Sequence, residues 1–218
     1  MNERFPNPHA HNDYQPDIDA QGYEESSREQ PPRLNPRIYV TRGLPLRAEL
    51  TDGTWLDMAR DPATIATELY AVLGDDEAHA GAPLYIWDYQ DFGAFDVRTG
   101  AIGLEGTDSI ELLSQVAHGL TEHGPAYAAW AKFNEDDPRL FDHFERAYQG
   151  HYESVDGYVR HLLAPLGLDE VLKDALPDQL KHLAYIDYEA IGEQLLAQDD
   201  IVAVPAEGGG VWIFDERA

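Results

Sequence analysis

Cysteine is absent from the 218 residues. That excludes thiol nucleophiles, thiolate metal sites and a disulfide framework. Basic side chains are scarce, with 15 Lys and Arg against 41 Asp and Glu, a formal net charge of −26. A chain without clustered cations does not grip nucleic acid through its phosphates, nor does it adhere to an anionic membrane. No stretch approaches the roughly 18 to 20 apolar residues of a membrane span. The opening MNERFPNPHA lacks the basic-then-apolar pattern of a signal peptide, so a cytoplasmic protein is expected. HExxH, GxSxG and Walker patterns are also missing, which leaves the common hydrolase and nucleotide-binding signatures without support.

Apolar residues make up 43% of the chain, enough to build a core. The acidity is not a tail. Residues 1–50 hold 8 acids and 6 bases, whereas residues 51–218 hold 33 acids and 9 bases. The acids of the second part alternate with apolar residues at helix and strand spacing, so they decorate folded surfaces. A disordered acidic segment would show one block of like charge. Self-repulsion on this scale costs stability. Solubility or adaptation to high salt explains it, and three lysines against twelve arginines fit that account. The other account is that the negative surface is the working part and imitates another polyanion.

Residues 1–36 read as a disordered or extended tail, rich in Pro, Asn, Asp and Gln and without apolar period. Pro31, Pro32 and Pro36 form a stiff joint. Residues 37–106 read as an N-terminal α+β unit. "RIYVTR" is a strand, Asp52-Gly53 a hairpin turn, Asp61-Pro62 a helix start, and "PLYIWDY" a further strand. Ile65, Leu69, Val72 and Leu73 give the helix its stripe, Gly74 ends it, and Asp75, Asp76 and Glu77 form an acidic loop. Residues 107–149 read as a central helical unit. Asp108 and Glu111 have capping-box spacing, Gly124 suits the end of that helix, and a third helix follows Asp137-Pro138 with the stripe Phe141, Phe144, Tyr148. Residues 150–218 read as a C-terminal α+β unit. Its helices start at Ser154, at "DEVLKDAL" and after Asp187, and it closes with a hairpin, "DIVAVP" and "VWIFD" around "AEGGG". "DYQDFG" at 88–93 faintly echoes "DYEAIG" at 187–192.

Few residues suggest chemistry. His9, His11 and Asp13 lie close in sequence but in the tail, where no packed shell holds a site. His123 ends a helix, where an imidazole meets the dipole. Gly208–Gly210 lie between strands with no Lys nearby, so a hairpin loop is expected rather than a phosphate cradle. Asp136-Asp137 and Asp199-Asp200 lack EF-hand spacing. No catalytic residue, metal site or cofactor is expected, and the protein is read as a non-enzyme.

The ordered blocks "GTWLD", "IWDYQDFG", "SIELLSQVAHGLTEHGPAYAAWAKF", "FERAYQGHYESVDGYVRHLL", "YIDYEAIGEQLL" and "GGGVWIF" resemble the ArdA antirestriction family over about four-fifths of the chain. The segment "LLSQVAHGLTEHG" resembles that family's antirestriction motif and carries Leu112, Leu113, Val116, Ala117, Leu120, Glu122, His123 and Gly124. The resemblance implies an elongated three-unit α+β protein that pairs end to end through its C-terminal unit. It implies a DNA mimic that occupies the DNA-binding groove of type I restriction–modification enzymes, and so protects incoming plasmid or transposon DNA. Duplex DNA carries one charge per about 1.7 Å, so the 33 acids of residues 51–218 match at most about 56 Å of duplex.

The acids expected to share this work are Asp75, Asp76, Glu77, Asp88, Asp91, Glu111, Glu122, Asp136, Asp137, Asp142, Glu145, Asp156, Asp169, Glu170 and Asp174. Two alternatives stay open: a salt-adapted acidic soluble protein, and an acidic adaptor that binds basic proteins.

Overall fold

The computed structural model describes residues 34–43, 53–72 and 83–217. The tail histidines, Asp52, Leu73, Gly74 and the loop Asp75–Glu77 lie outside the described residues. The described chain begins within the expected joint, at Leu34. Leu34 packs on the core, and the Pro36 carbonyl accepts from the Met58 N–H at 2.9 Å.

Alternation sets the first sheet. In β1 (Arg37–Arg42) Ile38 and Val40 are buried while Tyr39 stays half-exposed between them. β1 pairs antiparallel with β2 (Gly53–Asp57), where Tyr39 opposes Trp55 with ring centroids 5.3 Å apart. It also pairs with β3 (Leu84–Gln90), and the register shifts between Tyr39 and Val40, leaving Trp87 as the extra residue. β4 (Gly100–Ala101) completes the order β2-β1-β3-β4. At two residues it is too short to leave a periodic signal.

Helix α1 (Pro62–Val72) starts as its sequence predicts, with the Thr64 N–H donating to Asp61 Oδ2 at 3.0 Å. Its Ile65 and Leu69 are buried. Helix α2 (Ile110–His123) differs from expectation at its cap. Ser109, not Asp108, accepts from the Leu112 N–H, at 3.2 Å. Asp108 is buried, 2% exposed, and its two oxygens are taken by Arg98, whose Nε and backbone N–H each donate at 2.8 Å. A carboxylate engaged that way has no oxygen left for the helix, and Ser109 in extended backbone takes the role. Gly124, at φ +76°, ends α2 and begins α3 (Pro125–Phe133), with Pro125 at its first position.

The expected third helix is shorter than its stripe suggests. Pro138–His143 is a 3-10 turn, α4 is only Phe144–Ala147, and Tyr148 opens a strand, β5 (Tyr148–Tyr152). Phe141 and Phe144 are buried as expected. Tyr148 instead pairs with Phe214, a partner 66 positions away that local period does not reveal. Beyond β5 come α5 (Val155–Leu163), α6 (Leu168–Ala175), α7 (Tyr188–Ala197), β6 (Ile201–Pro205) and β7 (Val211–Asp215). Ser154 and Asp187 cap α5 and α7 as read from sequence.

The second sheet runs β5-β7-β6, all antiparallel. Central β7 alternates between two cores. Trp212 and Phe214 join the large one, and Ile213 joins a smaller one with Tyr158, Val159 and Ile201. The large core links Ile38 of β1, Leu113 of α2 and Phe214 of β7. Among the described residues, seven α-helices and two small antiparallel sheets make a mixed α+β arrangement. Among the described residues no helix is long and apolar enough to cross a membrane.

Candidate functional site

Helix α2 divides cleanly. Ile110, Leu113, Val116, Ala117 and Leu120 face the core, as the 3.6-residue period requires. Glu111, Gln115, His118 and Glu122 fall on the other side. Four of the eight motif residues, Leu113, Val116, Ala117 and Leu120, are therefore scaffold, fully buried. Leu112 packs half-buried beside them, Gly124 makes the turn, and Glu122 faces solvent.

Tight contacts hold α2 in place. Ser114 Oγ donates to the Arg60 carbonyl at 2.6 Å. Gly119 sits against the Tyr127 ring so closely that an added Cβ would lie 2.1 Å from it. A mid-helix glycine costs about 1 kcal/mol against alanine, and here it admits that ring. Tyr127, Phe141, Phe144, Tyr148, Trp130 and Phe214 then form one aromatic cluster, with centroids 5.1 to 6.5 Å apart. The Trp130 indole also donates to the Leu140 carbonyl at 2.8 Å.

The 3-10 turn and α4 lie beside the outer face of α2. A groove of about 380 Å³ runs between them, lined by Gln115, His118, Glu122, His123, Asp142 and Glu145 among others. Gln115 Nε2 donates to Asp142 Oδ1 at 3.1 Å. Gln115 also lines a neighbouring groove of about 400 Å³ with Glu111 and Arg98. Four of the expected acids, Glu111, Glu122, Asp142 and Glu145, are thus brought to one side. From Glu111 to Glu122 the helix rises about 16 Å. Among the described residues, no Lys or Arg lines the 380 Å³ groove. Tyr127 lines the groove as well, and burial first, then Asp142 and Glu122, push the pKa of its hydroxyl up to about 12.

His123 is packed rather than free. Its ring stacks on Tyr127 at 5.7 Å and 24° and lies 4.9 Å from Phe144. Sequence reasoning missed Gln115, His118 and the approach of Glu145. The first two were legible as exposed positions one turn apart on α2, but the last depends on where α4 folds.

The remaining acids have other settings. Asp88 and Asp91 are exposed on and just after β3; Asp88 Oδ1 accepts from the Tyr89 N–H at 2.8 Å. Asp136 is exposed, whereas its neighbour Asp137 is half-buried and gripped by Arg139 at 2.7 and 2.8 Å, which lowers its pKa. Asp156 is likewise half-buried, its pKa lowered by the Ser154 hydroxyl at 2.5 Å and then by Arg160. Asp169, Glu170 and Asp174 are exposed on α6, with Asp169 accepting from the Tyr188 hydroxyl at 3.0 Å.

A family model described as "Antirestriction protein (ArdA)" matches residues 47–208. No curated protein and no solved structure matches the chain.

Proposed function

Because the chain belongs to the ArdA family of antirestriction proteins, we propose that it inhibits type I restriction–modification enzymes by occupying their DNA-binding groove as a DNA mimic. The observation that carries this reading is the outer face of α2. The family-motif helix buries its apolar side and turns Glu111 and Glu122 outward; Asp142 and Glu145 join Glu122 along a groove whose described lining holds no Lys or Arg, and Glu111 lines the adjoining groove. A cleft lined with Lys and Arg to receive phosphates meets these carboxylates with charge-assisted hydrogen bonds. A folded acidic surface also spares the enzyme the work of bending a duplex. Long-range attraction speeds encounter, and salt weakens it. Occupancy of one shared groove blocks restriction and modification alike.

We further propose that two copies pair through the C-terminal region. Leu162, Leu166, Val171, Leu183 and Tyr185 are exposed there, Tyr185 at 74%. Exposed apolar surface of this kind, where it is contiguous, marks a protein–protein contact.

The test is a competition between purified protein and labelled cognate duplex for a type I enzyme. Stoichiometric displacement that fades as salt rises supports mimicry. Absence of displacement at low salt across several such enzymes overturns it, and favours a salt-adapted protein or an acidic adaptor for basic partners.

A further inference from the structure

We propose that Glu122, His123 and Glu145 form a binding site for one divalent transition-metal cation of the zinc class, on the rim of the acidic groove. Glu122 and His123 close α2, and Glu145 arrives from α4. One imidazole nitrogen and a carboxylate oxygen from each Glu lie within 4.8 Å of one another. Zinc accepts imidazole and carboxylate together, with water completing the shell. Magnesium and calcium favour all-oxygen sets.

Two features separate this trio from a chance gathering of acids. The first is a nitrogen ligand that is already fixed. The His123 side chain is only 21% exposed and is held against the rings of Tyr127 and Phe144. A metal site needs ligands whose rotamers packing has settled beforehand. The second is the spacing. His123 Nε2 and Glu122 Oε2 stand 3.9 Å apart, too far for a hydrogen bond. Two metal–ligand bonds of about 2.0–2.2 Å span that gap with small rotamer changes. The surroundings favour a cation as well. Asp142 lines the same groove, whose described lining holds no Lys or Arg, and the negative end of the α2 dipole points here. The consequence for inhibition rests on the function proposed above: a bound cation cancels charge at the C-terminal end of α2, beside the groove, and weakens displacement of DNA.

The test uses the full-length chain stripped with a chelator, in moderate salt and excess Mg²⁺ to fill weak acidic sites. Calorimetry with Zn²⁺ is expected to show one saturable site per chain, and Co²⁺ to give the visible bands of a nitrogen-bearing site. Glu145→Gln, at an exposed position, weakens Zn²⁺ by about tenfold or more. His123→Gln does the same and removes the Co²⁺ bands, while His118→Ala leaves binding unchanged. Lack of saturable Zn²⁺ uptake, equal loss from His118→Ala, or full displacement by Mg²⁺ overturns the proposal. Circular dichroism of each variant separates lost ligands from lost fold. Metal binding is read without any restriction enzyme, so its failure and the failure of DNA mimicry are distinguishable.

Discussion

Helices α2 and α6 are both amphipathic, yet α2 buries seven residues and α6 buries none. Their sequences give no warning of that. Leu113, Val116 and Leu120 meet a sheet and an aromatic cluster, whereas Leu168 and Leu172 reach only half-burial and Val171 is 61% exposed. An eight-residue helix is too short to hold itself in water. The contrast extends to the acids. Glu122 of α2 looks onto a groove whose described lining holds no Lys or Arg, while on α6 Asp169 takes the Tyr188 hydroxyl. Amphipathy records that a helix has an apolar side; it does not say whether the same chain covers it.

The sharpest way to break the comparison is to cut the support of α2. Trp130→Ala removes a buried ring and the indole bond to Leu140, and chemical denaturation should show a loss of about 3–5 kcal/mol. Leu172→Ala, by contrast, should cost under about 1 kcal/mol, since a half-exposed leucine leaves little cavity. Gly119→Ala comes next. Its methyl collides with the Tyr127 ring, and overpacking of this kind costs about 1–3 kcal/mol despite the better helix propensity of alanine.

The charge difference is smaller in energy. Neutralising Glu111, Glu122, Asp142 and Glu145 together, each to its amide, should weaken displacement of duplex by about tenfold or more, about 1.4 kcal/mol. Any one of them alone should change it about twofold or less, as surface charges do. A single substitution that abolished inhibition in a folded protein would point to a local site instead of a shared face. For α6 and its flanks, Leu166→Asp with Leu183→Asp should leave the unfolding midpoint of the protomer almost unmoved and lower the mass seen in sedimentation. Retention of a dimer would place the pairing surface elsewhere.

The smallest effect is alkaline. Burial, which penalises the phenolate, and then Asp142 and Glu122 push the Tyr127 hydroxyl up to about 12 from its ordinary value near 10. Its folded pKa is raised, so the stability it contributes is intact below pH 10 and is lost as pH rises toward 12. Tyr127→Phe should soften that alkaline loss while changing stability at neutral pH little. Absorbance titration of tyrosinate in the two proteins checks the assignment.

Much of the fold was legible from local chemistry. Asp61, Ser154 and Asp187 cap the helices their positions suggest, and the hairpin at 201–215 has its expected strands. What stayed hidden depended on partners far away. Asp108 looked like a cap until Arg98 claimed it, and Tyr148 continued a helical period until Phe214 drew it into a sheet. At the candidate site, Glu111 and Glu122 were readable as outward positions of one helix. Asp142 and Glu145 were readable only as charges, because their place beside α2 is set by how Phe141 and Phe144 bury. Asp137 and Asp156 looked equivalent to them in sequence, yet Arg139 and Arg160 already occupy their carboxylates.

The interleaving of two faces on α2 carries a consequence for how such a protein diversifies. Positions 111, 115, 118 and 122 can drift to suit a new host's enzyme while 113, 116, 117 and 120 stay fixed, because only the second set fills the core, where a change of volume is costly. Adaptation to a changing adversary then proceeds by repainting one side of a rod, with no step that asks the protein to fold anew.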